Sequence, residues 1–220
     1  ELRRFRPDPR NYVASARKII FLDVDGVLHP ATGSAFFMPS CMAALRMIVE
    51  ATGAVIVLSS AWQAHEAGCA DVDAALRRWG IHPHVARTVN SASSVCAVPG
   101  TGEEHRAREV ISWVRAHAQV CTRWVALDDL PLESVAKPPS FVPLMPPGHF
   151  VHVNDRTGLT SGDAALAISL LGGRDASVPP LPPLQGDAEQ AVPRASQTAA
   201  PAAGHEVWRS DARYGARSRS

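Results

Sequence analysis

Ile19-Ile20-Phe21-Leu22-Asp23-Val24-Asp25-Gly26-Val27-Leu28 is the stretch on which the fold turns. Four apolar residues in a row read as a short strand covered on both faces, as in a parallel sheet. The run stops on two carboxylates two positions apart. Strand periodicity points both the same way, and Gly26 lets the chain turn sharply beside them. Packing gives no reason for such a pair. Two acids converging at the end of a buried strand repel and lose hydration, so a bound cation is the natural compensation. The plainer alternative is an acidic turn at a strand end, and groups farther along the chain argue against it.

Three more apolar runs follow, Val55-Ile56-Val57-Leu58, Trp124-Val125-Ala126-Leu127 and Phe150-Val151-His152-Val153. Helical stripes separate them. Met42, Leu45, Ile48 and Val49 line one face between Pro39 and Gly53, and Val72, Ala75, Leu76 and Trp79 line another that ends at Gly80. Thr101 and Glu104 have capping-box spacing ahead of Ala107, Val110, Ile111, Val114 and Ala118. A fourth helix is expected from Thr160 or Ser161 to Gly172-Gly173. Strands alternating with amphipathic helices predict an α/β fold, a Rossmann-like three-layer α/β sandwich with a central parallel sheet. In such sheets ligands gather beyond the carboxyl ends of the strands.

The acids and hydroxyls lie there. The second run ends in Ser59-Ser60, donors that could equally cap a helix. The Trp124 run ends in Asp128-Asp129. Alternation sends adjacent side chains to different faces, which makes Asp128 the favoured direct cation ligand and Asp129 its outer partner.

Composition narrows the function classes. A chain of 220 residues with 46% hydrophobic side chains can bury one ordinary core. Lys and Arg number 22 against 21 Asp and Glu, a net charge of +1, so the whole chain lacks the broad positive field of a general nucleic-acid binder. Cys41, Cys69, Cys96 and Cys121 are widely separated, as expected of reduced thiols in a cytoplasmic protein. No apolar stretch approaches the roughly 20 residues of a membrane helix. Residues 1–17 are expected to be a flexible basic segment, 18–175 the folded domain, and 176–220 a disordered Pro/Ala/Arg-rich tail.

In order and spacing, Asp23-Val24-Asp25-Gly26-Val27, Ser59 and Asp128-Asp129 resemble the first, second and fourth motifs of the haloacid dehalogenase (HAD) superfamily, a likeness covering about residues 18–172. The resemblance implies a Mg2+-dependent phosphatase. It makes Asp23 the nucleophile that forms an aspartyl phosphate and Asp25 the general acid and base. Magnesium would be held by Asp23, the Asp25 backbone carbonyl and Asp128-Asp129. Ser59, with Ser60 beside it, would bind the transferring phosphate. The family's third motif usually supplies a lysine, whereas this chain reads Glu103-Glu104-His105-Arg106-Ala107-Arg108. Arg106 is the candidate replacement because its planar fork suits phosphate, and Arg108 is the runner-up. Both could instead be surface arginines paired with neighbouring glutamates.

Other features point less sharply. His82-Pro83-His84 lacks the further ligands a metal site needs. His29 reads as a surface flap residue, Asp155 as a shaper of the turn before the last helix, and Trp62 as packing. Only about 25 residues separate the first motif from the second strand, too few for a large cap domain. An open site suits nucleotides, polynucleotide ends or phosphoproteins, as in capless polynucleotide-phosphatase-like members. Two alternatives stand beside this reading. One is a catalytically weak phosphate-, nucleic-acid- or partner-binding domain that uses Arg3, Arg4, Arg6, Arg10, Arg209, Arg213, Arg217 and Arg219 as basic arms. The other is a transferase or dehalogenase using the same aspartyl chemistry.

Overall fold

A computed structural model describes residues 18–88, 101–137 and 142–172. The two flanking segments, the basic arms and Cys96 lie outside these residues.

Strand β1 (Lys18–Leu22) is the centre of a five-stranded sheet. Around it lie β2 (Val55–Leu58), β3 (Ala86–Arg87), β4 (Arg123–Asp128) and β7 (Phe150–His152), in the order β3-β2-β1-β4-β7 and all parallel. Leu22 pairs with Leu58 on one side and Leu127 on the other. The unbroken apolar run of β1 is explained by its two covered faces. Ile20 and Leu22 point into a core shared with helices α1 (Pro39–Thr52), α2 (Glu66–Arg78) and α4 (Ser161–Leu171). Ile19 and Phe21 point into a second core under α3 (Gly102–Ala116). Ile19, Ile20 and Leu22 are fully buried, each worth about 1.5–3 kcal/mol by transfer from water. Phe21 meets Trp113 and Trp124 edge-on at centroid distances of 5.3 and 5.7 Å. The predicted three-layer sandwich is therefore present, with β1 as its rigid axis.

The sequence signals at the helix ends operate as expected. Gly53 takes a left-handed conformation and donates its N–H to the Val49 carbonyl, Thr101 caps α3 through the Glu104 N–H, and Thr160 and Asp163 form a reciprocal capping box on α4. α3 ends at Ala116, two residues short of its apolar stripe, where the His117 N–H is shared between the Trp113 and Val114 carbonyls and the last turn tightens. The two-residue β3 and a small antiparallel pair, β5 (Ala136–Lys137) with β6 (Val142–Pro143), are too short to show periodicity in the sequence. Between β1 and β2 there is one helix and its loop, with no large cap. Among the described residues, no helix is long and apolar enough to cross a membrane.

Candidate active site

The site is assembled by the sheet's own hydrogen bonding carried one residue past the strand ends. Asp23 N–H donates to the Leu127 carbonyl at 3.1 Å, Ser59 N–H to Leu22 at 2.8 Å, Thr88 N–H to Leu58 at 2.9 Å and Val153 N–H to Asp128 at 3.0 Å. Satisfying these buried backbone groups sets Asp23, Ser59 and Asp128 side by side at the carboxyl edge.

One carboxylate oxygen from each of Asp23, Asp128 and Asp129 falls within a 4.8 Å cluster. Asp23 and Asp128 are buried and Asp129 is half-buried. Gly26 makes room for the third acid: its φ is +74°, and a Cβ there would lie 2.5 Å from the Asp129 carboxyl carbon. Asp128 accepts the Leu130 N–H on Oδ1 at 2.9 Å, and Asp129's carbonyl accepts from His152 Nε2 at 2.9 Å.

Arg106 reaches into this nest from the first turns of α3. Its Nη1 lies 2.8 Å from Asp128 Oδ2 and 3.2 Å from Asp23 Oδ1, and it also donates to the Ser59 carbonyl. The side chain is 13% exposed. Burial opposes its charge, but Asp23, Asp128 and Glu109 outweigh burial and raise its pKa. Arg108 instead pairs with Glu104 along the helix surface. Of the two arginines weighed from sequence, Arg106 faces the acids.

One guanidinium does not neutralise three carboxylates. Burial, with repulsion from Asp23, pushes the Asp129 carboxyl up to about 7. Asp128 is also raised well above the usual carboxylate range by burial, which its share of Arg106 does not offset. An all-oxygen donor set carrying excess negative charge fits a hard divalent cation such as Mg2+. Beside it, the Ser59 hydroxyl is buried without a hydrogen-bond partner, so the site holds a spare donor as well.

The remaining sequence candidates separate clearly. Ser60 is buried, and its hydroxyl accepts the Trp62 N–H at 3.4 Å, capping the short turn Ala61–Ala64. Asp25's side chain stands outside the three-acid cluster. It is held by His29 Nε2 on Oδ1 and by the Trp62 indole N–H on Oδ2, both at 3.0 Å. His29 is no surface flap residue: it is 4% exposed because the rings of Phe36, Phe37 and Trp62 wall it in. Trp62 packs as expected but also spends its N–H on Asp25. Asp155 is exposed after β7, where the turn is shaped by the Asn154 side chain accepting the Arg156 N–H. His84 bonds Asp73 at 2.6 Å and accepts from Arg87 at 3.3 Å.

Three residues near the site, Thr88, Gln63 and His152, escaped the sequence reading. Thr88 donates to buried Glu109 and bonds Gln63, forming a polar network whose Glu109 charge acts on Arg106. His152 holds the Asp129 backbone. Glu109, three residues after Arg106 and one of the glutamates read as a surface partner for the arginines, is instead buried and acts on Arg106 from inside the fold; nothing in the sequence distinguishes Thr88, Gln63 or His152.

No curated protein and no solved structure matches the chain. The family described as the HAD domain in Swiss Army Knife RNA repair proteins matches residues 19–164, which include every acid, hydroxyl and arginine of the site just described. A match over most of the folded domain, with the parallel sheet and acidic edge in place, settles the relationship: this chain belongs to the HAD superfamily, in the family of HAD domains found in Swiss Army Knife RNA repair proteins.

Proposed function

We propose that the chain is a Mg2+-dependent phosphoric monoester hydrolase that removes phosphate from RNA ends through an aspartyl phosphate on Asp23, with residues 18–175 as its catalytic domain. The observation that carries this reading is the Asp23, Asp128 and Asp129 cluster, with Arg106 bridging Asp23 and Asp128. Asp23, Asp128, Asp129 and the Asp25 backbone carbonyl would hold Mg2+, which neutralises phosphate oxygens when bound. The Asp23 carboxylate attacks phosphorus, forming an O–P bond as the ester oxygen departs with a proton from Asp25. Water then gives its proton back to Asp25 and attacks the same phosphorus. The Asp23–phosphorus bond breaks, releasing inorganic phosphate and restoring the carboxylate. Arg106 orients Asp23 and faces the phosphate with a second positive charge, and Ser59 Oγ donates to a phosphate oxygen. Ser60 supports that donor by shaping the turn behind it.

The substrate class rests on the family's association with RNA repair and on the single helix and loop, with no large cap, between β1 and β2. A ribose-borne phosphate at a chain end can approach such a site with the polymer outside. Buried thiols at Cys41, Cys69 and Cys121 suit the reducing cytoplasm.

Phosphate release by the full chain tests the reading, using an aryl phosphate, nucleotides, a phosphopeptide and 5′- or 3′-phosphorylated RNA oligonucleotides. Release should require Mg2+, fall by at least about 10³-fold in Asp23→Asn, and be fastest on RNA ends. Acid quenching should trap phosphate on the wild type and not on the variant. No release from folded, Mg2+-binding protein would overturn hydrolysis, and preference for the phosphopeptide or free nucleotides would overturn the substrate.

A further inference from the structure

We infer that His29 and Trp62 are positioning residues that clamp the Asp25 carboxylate for proton transfer to the leaving group, an inference that rests on the phosphatase reading above. Both Asp25 oxygens are taken, Oδ1 by His29 Nε2 and Oδ2 by Trp62 Nε1, each at 3.0 Å. The Asp25 side chain is 28% exposed against 5% for His29, so the clamp reaches a partly open acid from a closed wall. The Trp62 indole N–H can only donate, and whenever Asp25 has given up its proton its carboxylate only accepts, so a neutral His29 then donates from Nε2 and keeps Nδ1 as its acceptor nitrogen. That nitrogen is buried without a partner, and its neighbours are aromatic rings.

The surrounding backbone is built for this contact. Phe37 has φ +53°, the one non-glycine residue with positive φ among the described residues. Backbone in this region is costly for a side chain with Cβ and persists where the surroundings over-determine it. Phe37 is 5% exposed, and its ring lies 5.6 Å from Trp62 and 6.0 Å from His29, both edge-on. Met38 N–H returns to the Leu28 carbonyl at 2.8 Å and closes the loop. The strained turn thus presses one ring against both clamp residues. Ser60 fixes the other side by holding the Trp62 backbone.

A clamp of this kind has a kinetic signature that a packing role lacks. Aryl phosphates with a good leaving group need little protonation during attack, whereas a ribose oxygen needs a proton as the bond breaks. Loss of Asp25 orientation should therefore damage turnover of alkyl esters far more than that of activated aryl esters. Phosphate binding should survive, because the clamp does not touch Asp23, Arg106 or Ser59.

The experiment compares kcat and KM of wild type, His29→Gln, His29→Phe and Trp62→Phe on p-nitrophenyl phosphate and on a phosphorylated RNA end. Trp62→Phe keeps the ring and removes the N–H; His29→Gln can restore a donor near Nε2, and His29→Phe cannot. Expected is a kcat loss of about 10²-fold on RNA and about tenfold or less on the aryl ester for His29→Phe and Trp62→Phe, unchanged KM, and partial rescue in His29→Gln. In Asp25→Ala, the indole N–H resonance of Trp62 should move, which reads the contact without turnover. Equal losses on both esters, or full activity in both donor-free variants with wild-type unfolding midpoints, overturn the clamp and leave the phosphatase intact. No turnover by the wild type on either ester overturns both.

Discussion

Arg106 and Arg87 both face acidic side chains near the carboxyl edge of the sheet, yet their clusters are opposite in character. Arg87 ends β3 and makes a two-pronged pair with Glu66, through Nη1 at 2.7 Å and Nη2 at 3.1 Å, while its Nε donates to His84. Its side chain is 34% exposed and that of Glu66 is 85% exposed. A cavity of about 560 Å³ lies beside this cluster, lined by Cys69, Asp73 and their neighbours. The charges there already satisfy one another, and water screens what remains. Around Arg106 the count does not close: three carboxylates share one buried guanidinium, and a hydroxyl is left without a partner. A hollow does not make a site; unfinished electrostatics at a rigid strand end is the better marker.

Removing Arg106 should widen the difference most. In Arg106→Ala, Asp23 and Asp128 face each other without their shared counter-charge, and breaking a buried pair costs about 3–5 kcal/mol. Chelator-treated protein should lose that much stability by denaturant titration, Mg2+ should restore a large part of it, and phosphate release should fall by about 10²–10³-fold. Arg106→Lys should keep most of the stability, because a cation remains, and recover only part of the rate, because the fork is gone. Equal loss of stability with and without Mg2+ would mean the acids do not share a cation site.

How much of this could be read in the sequence depends on how far the interacting groups lie along the chain. Asp23, Asp25 and Gly26 were legible because strand, carboxylates and turn are covalent neighbours, and the same holds for Asp128 and Asp129. Arg106 could be nominated but not separated from Arg108 on chemistry alone. What separates them is helix rotation, which turns Arg106 toward Asp23, some 80 residues earlier, and Arg108 toward Glu104. His29 read as a flap residue because the aromatic walls that bury it come partly from Trp62, brought in by the turn after β2. Gln63, Thr88 and Glu109 meet only through tertiary packing, and β3, which delivers Thr88, has two residues and therefore no period.

A second test of the comparison uses pH, where the two clusters should respond with opposite sign. Asp129 is raised from 3.8 to about 7 in the folded protein, chiefly by burial and by Asp23. Between those values the native state holds a proton that the unfolded chain has released, so metal-free stability should fall as pH rises from about 4 to 7 and level off above. Asp128 pulls the same way. Bound Mg2+ favours the ionised carboxylates, so the unfolding midpoint should rise with Mg2+ strongly at pH 7.5 and weakly at pH 5. A Mg2+ effect of the same size at both pH values would show that Asp129 is not among the groups that titrate with binding.

The smallest effect belongs to the Arg87 cluster, and its smallness is informative. The hydrogen bond and charge of Arg87 hold the Glu66 carboxyl below its ordinary range, so this pair adds stability above the usual carboxylate pKa and loses it as pH falls through the lowered value. The Glu66 side chain is largely exposed, so solvent should screen nearly all of that gain. Arg87→Gln should therefore shift the unfolding midpoint less than any substitution above, leave the Mg2+ response intact, and leave phosphate release near the wild-type rate. A marked loss of release on RNA ends, with release from the aryl ester unchanged, would place Arg87 on the path of the polymer. The balance of its local charges would then be the resting state of a substrate contact, and the contrast with Arg106 would become one between two parts of a single surface.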